Sequence, residues 1–565
     1  DEELAQKVED ALKVLPIPKL MRWGAGTAQF VRPVHGLVMM HGTRVIPGSV
    51  LGLPAGNTTR GHRFMGPPLI RLRSADEYEA RLRESGKVIA DFAARRAEID
   101  RQLHTEAKRQ RGNLGEYDEL LDEVTALVEL PSVYACQFDR TFLEVPQECL
   151  ILTMKQNQKY FPLFTREGKL LPKFLIVSNM RVNDPRAIVS GNERVVRPRL
   201  EDARFFFDQD RKVRLETRVP QLASMVYHNK LGTQLERTQR IKLLAGEIAR
   251  TVGAEVMLVE RAAELCKADL LTGMVGEFPD LQGTMGRYYA LHDGEKEEVA
   301  KAIELHYRPR YAGDPPPQDP VASSLALADK LDSLAGLFGI GQQPTGEKDP
   351  FGLRRAALGL IRILVQNLLP LSLHDLVNAA FAGYRGKIVD AHSDLETFVL
   401  ERFSGFLKES GFSTVEVDAV LSLRPVHLGQ VPAQLEAVRA FQALPEAGSL
   451  AAANRRVVNI LKQAAAKGES FRHADRDALK EAAEIALHDA LTAASEKADV
   501  LLGRKDYAGY LRAFAVLREP VDIFFDSVMV MVEEEAVRRN RLALLADLRE
   551  AMNRIADISK LAAEK

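Results

Sequence analysis

From about residue 215 to its end the chain carries apolar residues at helical spacing, so more than half of it has to fold as packed helices. "GTQLERTQRIKLLAGEIARTVG" shows the pattern, with Gly253 where a helix stops. "RAAELCKADLLTGMV" and "SLALADKLDSLAGLF" repeat it, on either side of a connector stiffened by Pro315, Pro316 and Pro317. The earlier part is mixed. "FVRPVHGLVMMHGTRVIPG" reads as strands broken by Gly and Pro, and "PPLIRLRSADEYEARL" passes from strand to a helix capped by Ser74 or Asp76. Residues from about 86 to 128 are charged and helical. Residues 129–182 return to strands in "SVYACQF", "ECLILTM" and "KFLIVSNM", with Gly168 turning a hairpin. The fold class is α+β and multidomain, with boundaries expected near residues 214 and 425.

At 565 residues the chain is too long for one core, and three or four domains are expected. Its net charge of −1 provides no global field for a polyanion, so any nucleic-acid surface has to be a local patch. Cys136, Cys149 and Cys266 are far apart in sequence. They suggest buried thiols in a reducing compartment rather than a zinc ribbon or disulfide framework. The longest apolar helix candidate is interrupted by Arg362, Gln366 and Pro370, which excludes a membrane span there. The acidic, amphipathic start at Asp1 is unlike a signal peptide, and without an initiator Met it reads as the start of a fragment.

No phosphate-cradling GxxxxGK[ST] loop, Gly-x-Ser-x-Gly elbow or HExxH is present, so no nucleotide-dependent active site is expected on this chain. Four stretches carry charge patterns that suggest binding. "GNERVVRPRLEDARFFF" groups Arg194, Arg197 and Arg199 ahead of three phenylalanines, suited to phosphates and bases or simply to a helix with a Phe core face. "PTGEKDPFGLRRAALG" starts a helix, with Asp349 expected as N-cap and Pro350 in the first turn. Arg354 and Arg355 then stand where cations oppose the helix dipole and an anion would relieve them. "RRNR" sets Arg538, Arg539, Asn540 and Arg541 near a helix start, as a solvated face or a reader of unpaired bases. That helix follows one opened by Pro520, expected to carry Phe524, Phe525, Val528 and Val532 on one face. "KQNQKYFPL" combines Lys155 and Lys159 with Gln156 and Gln158; the lysines read as RNA-facing and the glutamines as a strand edge. In the helical middle, His228, Asp269 and Asp329 are candidates for a degenerate metal site of the His-Asp (HD) phosphohydrolase type. Ala268 stands where that type needs a histidine.

Together these stretches resemble the β subunit of the bacterial two-subunit glycyl-tRNA synthetase. The matching motifs are long and ordered: "RPVHGL", "GNTTRGHRF", "GKVIADFAARR", "FLEVPQECLILTMKQNQKYFPLF", "GNERVVRPRLEDARFFF", "MVGEFPDLQGTMGRYYA", "PTGEKDPFGLRRAALG" and "PVDIFFDSVMVM". The resemblance implies a B3/B4-like α/β region over 1–214 with a helical insertion at about 86–128. It implies an HD-like helical domain with linker over 215–425 and a helical anticodon-binding domain over 426–565. ATP, Mg and the catalytic core belong to a separate α subunit, this chain binding no cofactor. The implied partners are that α subunit in an α2β2 assembly and tRNA(Gly), in the cytoplasm, with no membrane and no DNA. The family's usual opening strand segment is absent, which implies an N-terminal piece outside this sequence. The implied role is to recognise tRNA(Gly) and position its acceptor end; the alternatives are an HD-type metal phosphohydrolase and a tRNA-editing deacylase.

Overall fold

The structure is a computed structural model that describes residues 2–470 and 472–562. The chain divides into two compact units between Asp210 and Arg211.

In the first unit, helix α1 (Glu2–Lys13) places Ala5, Val8 and Leu12 on a small core with Met39, Ile46 and Val50. Short strands β1 (Leu37–Val38), β2 (Ser49–Val50) and β3 (Leu53–Gly56) form a sheet with β3 central, parallel to β1 and antiparallel to β2. Strands β4 (Thr58–Thr59) and β5 (Ile70–Arg71) pair antiparallel. The charged insertion forms helices α2 (Phe92–Arg109) and α3 (Asp118–Leu127). Asp91 caps α2 by accepting the Ala94 N–H at 2.6 Å. Ile99, Leu103 and Ala107, each four residues apart, form one buried stripe of α2. That stripe meets Leu121 and Val124 of α3 and the inner residues of an antiparallel sheet. The sheet consists of β6 (Ser132–Gln137), β7 (Phe161–Phe164) and β8 (Leu170–Ser178), with β8 central. Gly168, at φ 79°, makes the β7–β8 turn. Helix α5 (Arg186–Asp210) packs on β6.

One expected strand is a helix. "ECLILTM" falls in α4 (Gln147–Leu152) and the wide turn Thr153–Asn157 that continues it. Cys149, Leu150, Thr153 and Met154 are all buried. Neighbouring pairs four residues apart share one helix face, whereas a strand would send adjacent residues to opposite sides. Gln156 and Gln158 accordingly sit at this helical end and not on a strand edge.

The second unit is helical around α10. Its first helices are α6 (Gln234–Val252), α7 (Val256–Leu265), α8 (Thr284–His292) and α9 (Glu297–Leu305). Thr233 and Glu236 form a capping box at the start of α6, and Gly253 ends it at φ 75°. Helix α10 (Pro320–Gly339) is buried on nearly every side by α6, α7, α9 and α11 (Leu353–Gln366). The start of α11 differs from the expected one. Gly352, at φ 67°, is the N-cap and Pro350 lies outside the helix. Asp349 still serves the end, accepting the N–H groups of Leu353 and Arg354 at 2.8 and 2.9 Å.

The later helices of the unit include α12 (Thr414–Leu421), α13 (Ala447–Ala466), α14 (Ala482–Gly503), α15 (Tyr507–Ala513), α16 (Arg518–Ser527) and α17 (Glu535–Met552). The Asp557 N–H donates to the Ala419 carbonyl at 2.7 Å, which ties the C-terminal end to α12. Helix α16 ends at Ser527, so Val532 is not on the face of Phe524. All three cysteines are buried free thiols, and burial raises each, Cys136 and Cys266 to about 12. Among the described residues no helix is long and apolar enough to cross a membrane.

Candidate functional site

Two places in the second unit concentrate chemistry. The first lies around α10, where Asp329 and Asp332 stand three residues apart on the face met by Arg237 and Arg240 of α6. Arg237 Nη2 lies 2.9 Å from Asp329 Oδ1, and Arg240 Nε lies 2.7 Å from Asp332 Oδ1. Lys267, just beyond α7, reaches Asp329 Oδ1 at 3.0 Å and His306 Nε2 at 2.8 Å. His306 Nδ1 sits 2.6 Å from the Ile303 carbonyl, so it carries the proton and Nε2 accepts from the Lys267 ammonium. Burial by itself would raise the Asp329 carboxyl, but Lys267 and Arg237 outweigh it and hold Asp329 well below the carboxylate range. Burial, helped by Lys267, keeps His306 neutral far below its ordinary value. Burial also lowers Lys330 to about 8 while its ammonium donates to the carbonyls of Arg308 and His306.

The three candidates for a degenerate metal site are engaged separately. Asp269 Oδ2 accepts the N–H groups of Gly283 and Gly286 at 2.6 and 3.1 Å, so it caps the start of α8. Burial raises its carboxyl to about 6. His228 joins neither aspartate: its Nδ1 accepts the Lys230 N–H and its ring meets Phe351. An internal ammonium occupies the space between Asp329 and His306, and no group of His, Cys, Asp or Glu able to hold a metal occurs among the described residues.

The second place is the C-terminal helices, where the "RRNR" candidates are paired within the fold. Arg541 is buried in an ion pair with buried Glu484, and it also reaches Glu481 at 2.5 Å and the Met529 carbonyl at 2.6 Å. It has no surface for RNA. Asn540 exchanges two 2.8 Å hydrogen bonds with the Asp475 backbone. Arg538 ties Glu469 to the carbonyls of Val532 and Glu533. Only Arg539 of this run is well exposed, and it is paired with Glu535 at 2.7 Å. The sequence missed a cavity of about 390 Å³ beside them, lined by His473, His488, Tyr510, Asp547, Glu550 and Arg554. Asp547 Oδ1 lies 2.7 Å from His473 and raises that imidazole above its usual range. These residues come from segments 74 positions apart, so no local motif marks them.

The remaining candidates are scattered. Arg194, Arg197 and Arg199 are exposed on α5; Arg194 donates to the Ser190 carbonyl, and Arg199 lies 4.0 Å from Asp202. Lys155 donates to the Glu116 carbonyl, and burial lowers its ammonium. Lys159 pairs with Glu123 at 2.8 Å. Arg354 is turned back onto the Gly346 carbonyl, while Arg355 is exposed. Of these five arginines and two lysines, Arg194, Arg197, Arg199, Lys155 and Lys159 belong to the first unit and Arg354 and Arg355 to the second.

Residues 450–562 match the family described as the DALR anticodon binding domain, the class of helical domain to which this end of the chain belongs. The chain as a whole belongs to the glycyl-tRNA synthetase beta subunit family, whose model matches residues 1–422. It is 57% identical to the glycine–tRNA ligase beta subunit of Aromatoleum aromaticum, over 100% of this chain and 81% of that protein. It is 56% identical to the protein of the same description from Thiobacillus denitrificans, over 99% and 81%. Against that of Dechloromonas aromatica the values are 54%, 100% and 81%.

Proposed function

We propose that this chain is the tRNA-recognising subunit of a glycine–tRNA ligase, and that it reads the anticodon of tRNA(Gly) with its C-terminal helices. The observation that carries this reading is the base-sized cavity inside the segment matching an anticodon-binding domain. Glycine codons begin with two guanines, so every glycine anticodon contains two adjacent cytosines. An unstacked cytosine offers an exocyclic amino group to a carboxylate and a ring face to an aromatic side chain. Glu550 and Asp547 supply the carboxylates, and His473 and Tyr510 the rings.

The rest of the chain holds the acceptor arm and presents its 3′ end to a partner α subunit, in an α2β2 assembly working in the cytoplasm. The first unit is the B3/B4-like part and the helices around α10 the HD-like part. ATP and Mg bind the α subunit and none of this chain's residues. Alignment of two substrates by binding removes much of the entropic barrier to their reaction, so a subunit without catalytic groups contributes to rate. The buried Lys267–Asp329 pair supports this division: it engages the carboxylate that a phosphohydrolase of this type would need as a ligand.

The test is equilibrium binding of the full chain to tRNA(Gly) and to tRNA(Gly) with both anticodon cytosines replaced. Selective binding is expected, with the replacement costing tenfold or more, and Glu550→Gln should erase most of that preference. Equal affinity for both tRNAs would remove anticodon reading from this chain.

A further inference from the structure

Residues 11–75 contain no Asp or Glu, yet carry nine basic residues: Lys13, Lys19, Arg22, Arg32, Arg44, Arg60, Arg63, Arg71 and Arg73. The rest of the chain is therefore net acidic, and this tract lies wholly in the first unit. Two of the quoted sequence motifs, "RPVHGL" and "GNTTRGHRF", meet there on one cavity of about 670 Å³. His35 and Gly36 line it from one motif, and Thr58, Thr59 and Arg60 from the other. Leu69, which lines it, is 63% exposed, and Phe64, on the same loop as Arg60, is 69% exposed. The Arg63 guanidinium lies over the Phe64 ring, 5.5 Å from its centroid. Arg60, Arg63, Arg71 and Arg73 are exposed, and none of their guanidinium groups has a carboxylate partner among the described residues.

The loop that presents Arg60, Arg63 and Phe64 is rigidly built. His62 is buried; its Nε2 lies 2.6 Å from the Asn179 carbonyl, and its Nδ1 accepts the Phe64 N–H at 3.2 Å. Its own N–H donates to the Gly86 carbonyl at 2.7 Å, and the Gly61 N–H donates to Pro67 at 3.0 Å. A Cβ on Gly61 would lie 2.9 Å from the carbonyl oxygens of both Gly86 and Pro67, and one on Gly66 would collide with Gly86. Only glycine permits this close approach. The loop is thus anchored from below while two guanidinium groups and an aromatic face are held towards solvent.

We infer that this surface binds the single-stranded 3′ end of a tRNA, a deepening that rests on the tRNA-binding reading above. Unpaired arginines suit the phosphodiesters, and an exposed phenylalanine gains only where a base is unstacked. Helical A-form RNA hides its base faces, so a duplex would leave Phe64 and Leu69 unused. The anticodon loop, the other unpaired stretch considered, is assigned to residues 450–562, which leaves the 3′ end for this unit.

The experiment is a cycle with the full chain, using tRNA(Gly) either intact or lacking its single-stranded 3′ end, against the parent and an Arg60→Gln/Arg63→Gln/Phe64→Ala variant. All three side chains are exposed, and matching thermal melts check the fold. For the parent, removing the 3′ end should weaken binding by roughly tenfold or more. The variant should lose a similar factor on intact tRNA and no more on the truncated one. Its salt slope should fall by about 1.4, at ~0.7 per single-strand phosphate contact. Equal losses on both RNAs, or no loss on intact tRNA, overturn the assignment. Normal tRNA affinity with lost binding to the α subunit would also overturn it and mark a protein interface. A parent chain that binds neither RNA overturns the tRNA reading itself.

Discussion

Arg541 shows how far a residue's role depends on what surrounds it. In sequence it is one of three arginines in "RRNR", a pattern suited to RNA; in the fold its side chain is 5% exposed and faces Glu484, itself 1% exposed. Removing one member of such a pair leaves the other charge buried without a partner. Arg541→Ala should therefore lower the unfolding free energy by about 3–5 kcal/mol, read from urea denaturation. Arg539→Ala, one turn from the same helix start but 56% exposed, should cost about 0–1 kcal/mol. Equal effects of the two changes would contradict the burial described. The distinction was not legible in the sequence, because Glu481 and Glu484 lie 60 and 57 residues away.

At the scale of elements, local signals and burial pattern divided the work. Helix α6 stops at Gly253, where the sequence places its end, and Thr233 and Asp91 cap the starts of α6 and α2. The segment "ECLILTM" failed because a short apolar run fits a buried strand or a buried helix equally, and only its neighbours decide. Helix α11 is intermediate. Its N-terminal N–H groups find Asp349 as expected, although the helix itself begins three residues later, at Leu353. Asp349→Ala should destabilise the second unit by about 1 kcal/mol, measured by the same denaturation. A neutral change would show that solvent satisfies those groups as well.

At the scale of the whole molecule, one buried network joins helices remote in sequence: Arg237 from α6, Lys267 after α7, His306 after α9 and Asp329 from α10. It makes the second unit sensitive to acid. The His306 pKa is lowered in the folded state, so below about pH 6.5 the unfolded chain takes up a proton that the folded one refuses. Stability is thus lost as pH falls through that value. Asp269, raised to about 6, acts in the opposite sense, because between about 3.8 and 6 the folded state holds more protons. Comparing the parent with His306→Gln isolates the first contribution. The glutamine oxygen can still accept from Lys267, and the fall in melting temperature between pH 7 and 5 should be shallower in the variant. An identical fall would mean that His306 titrates normally in the folded chain.

The sequence by itself determined the mixed first part and helical remainder, the capped helix ends, and the ordered motifs that place the chain in its family. All of these depend on periodicity and on contacts a few residues apart, which a linear string records. The sequence also carries the acid-free stretch from 11 to 75, a local charge imbalance that the net charge of −1 conceals. Only the tertiary structure decided which charged residues are free. Arg541 and Asn540 are consumed by partners dozens of residues away, Lys267 lies between Asp329 and His306, and Arg60 and Arg63 have no carboxylate partner among the described residues. A charge is available to a ligand only when folding leaves it without a closer counterion, and that is settled by long-range pairing in space.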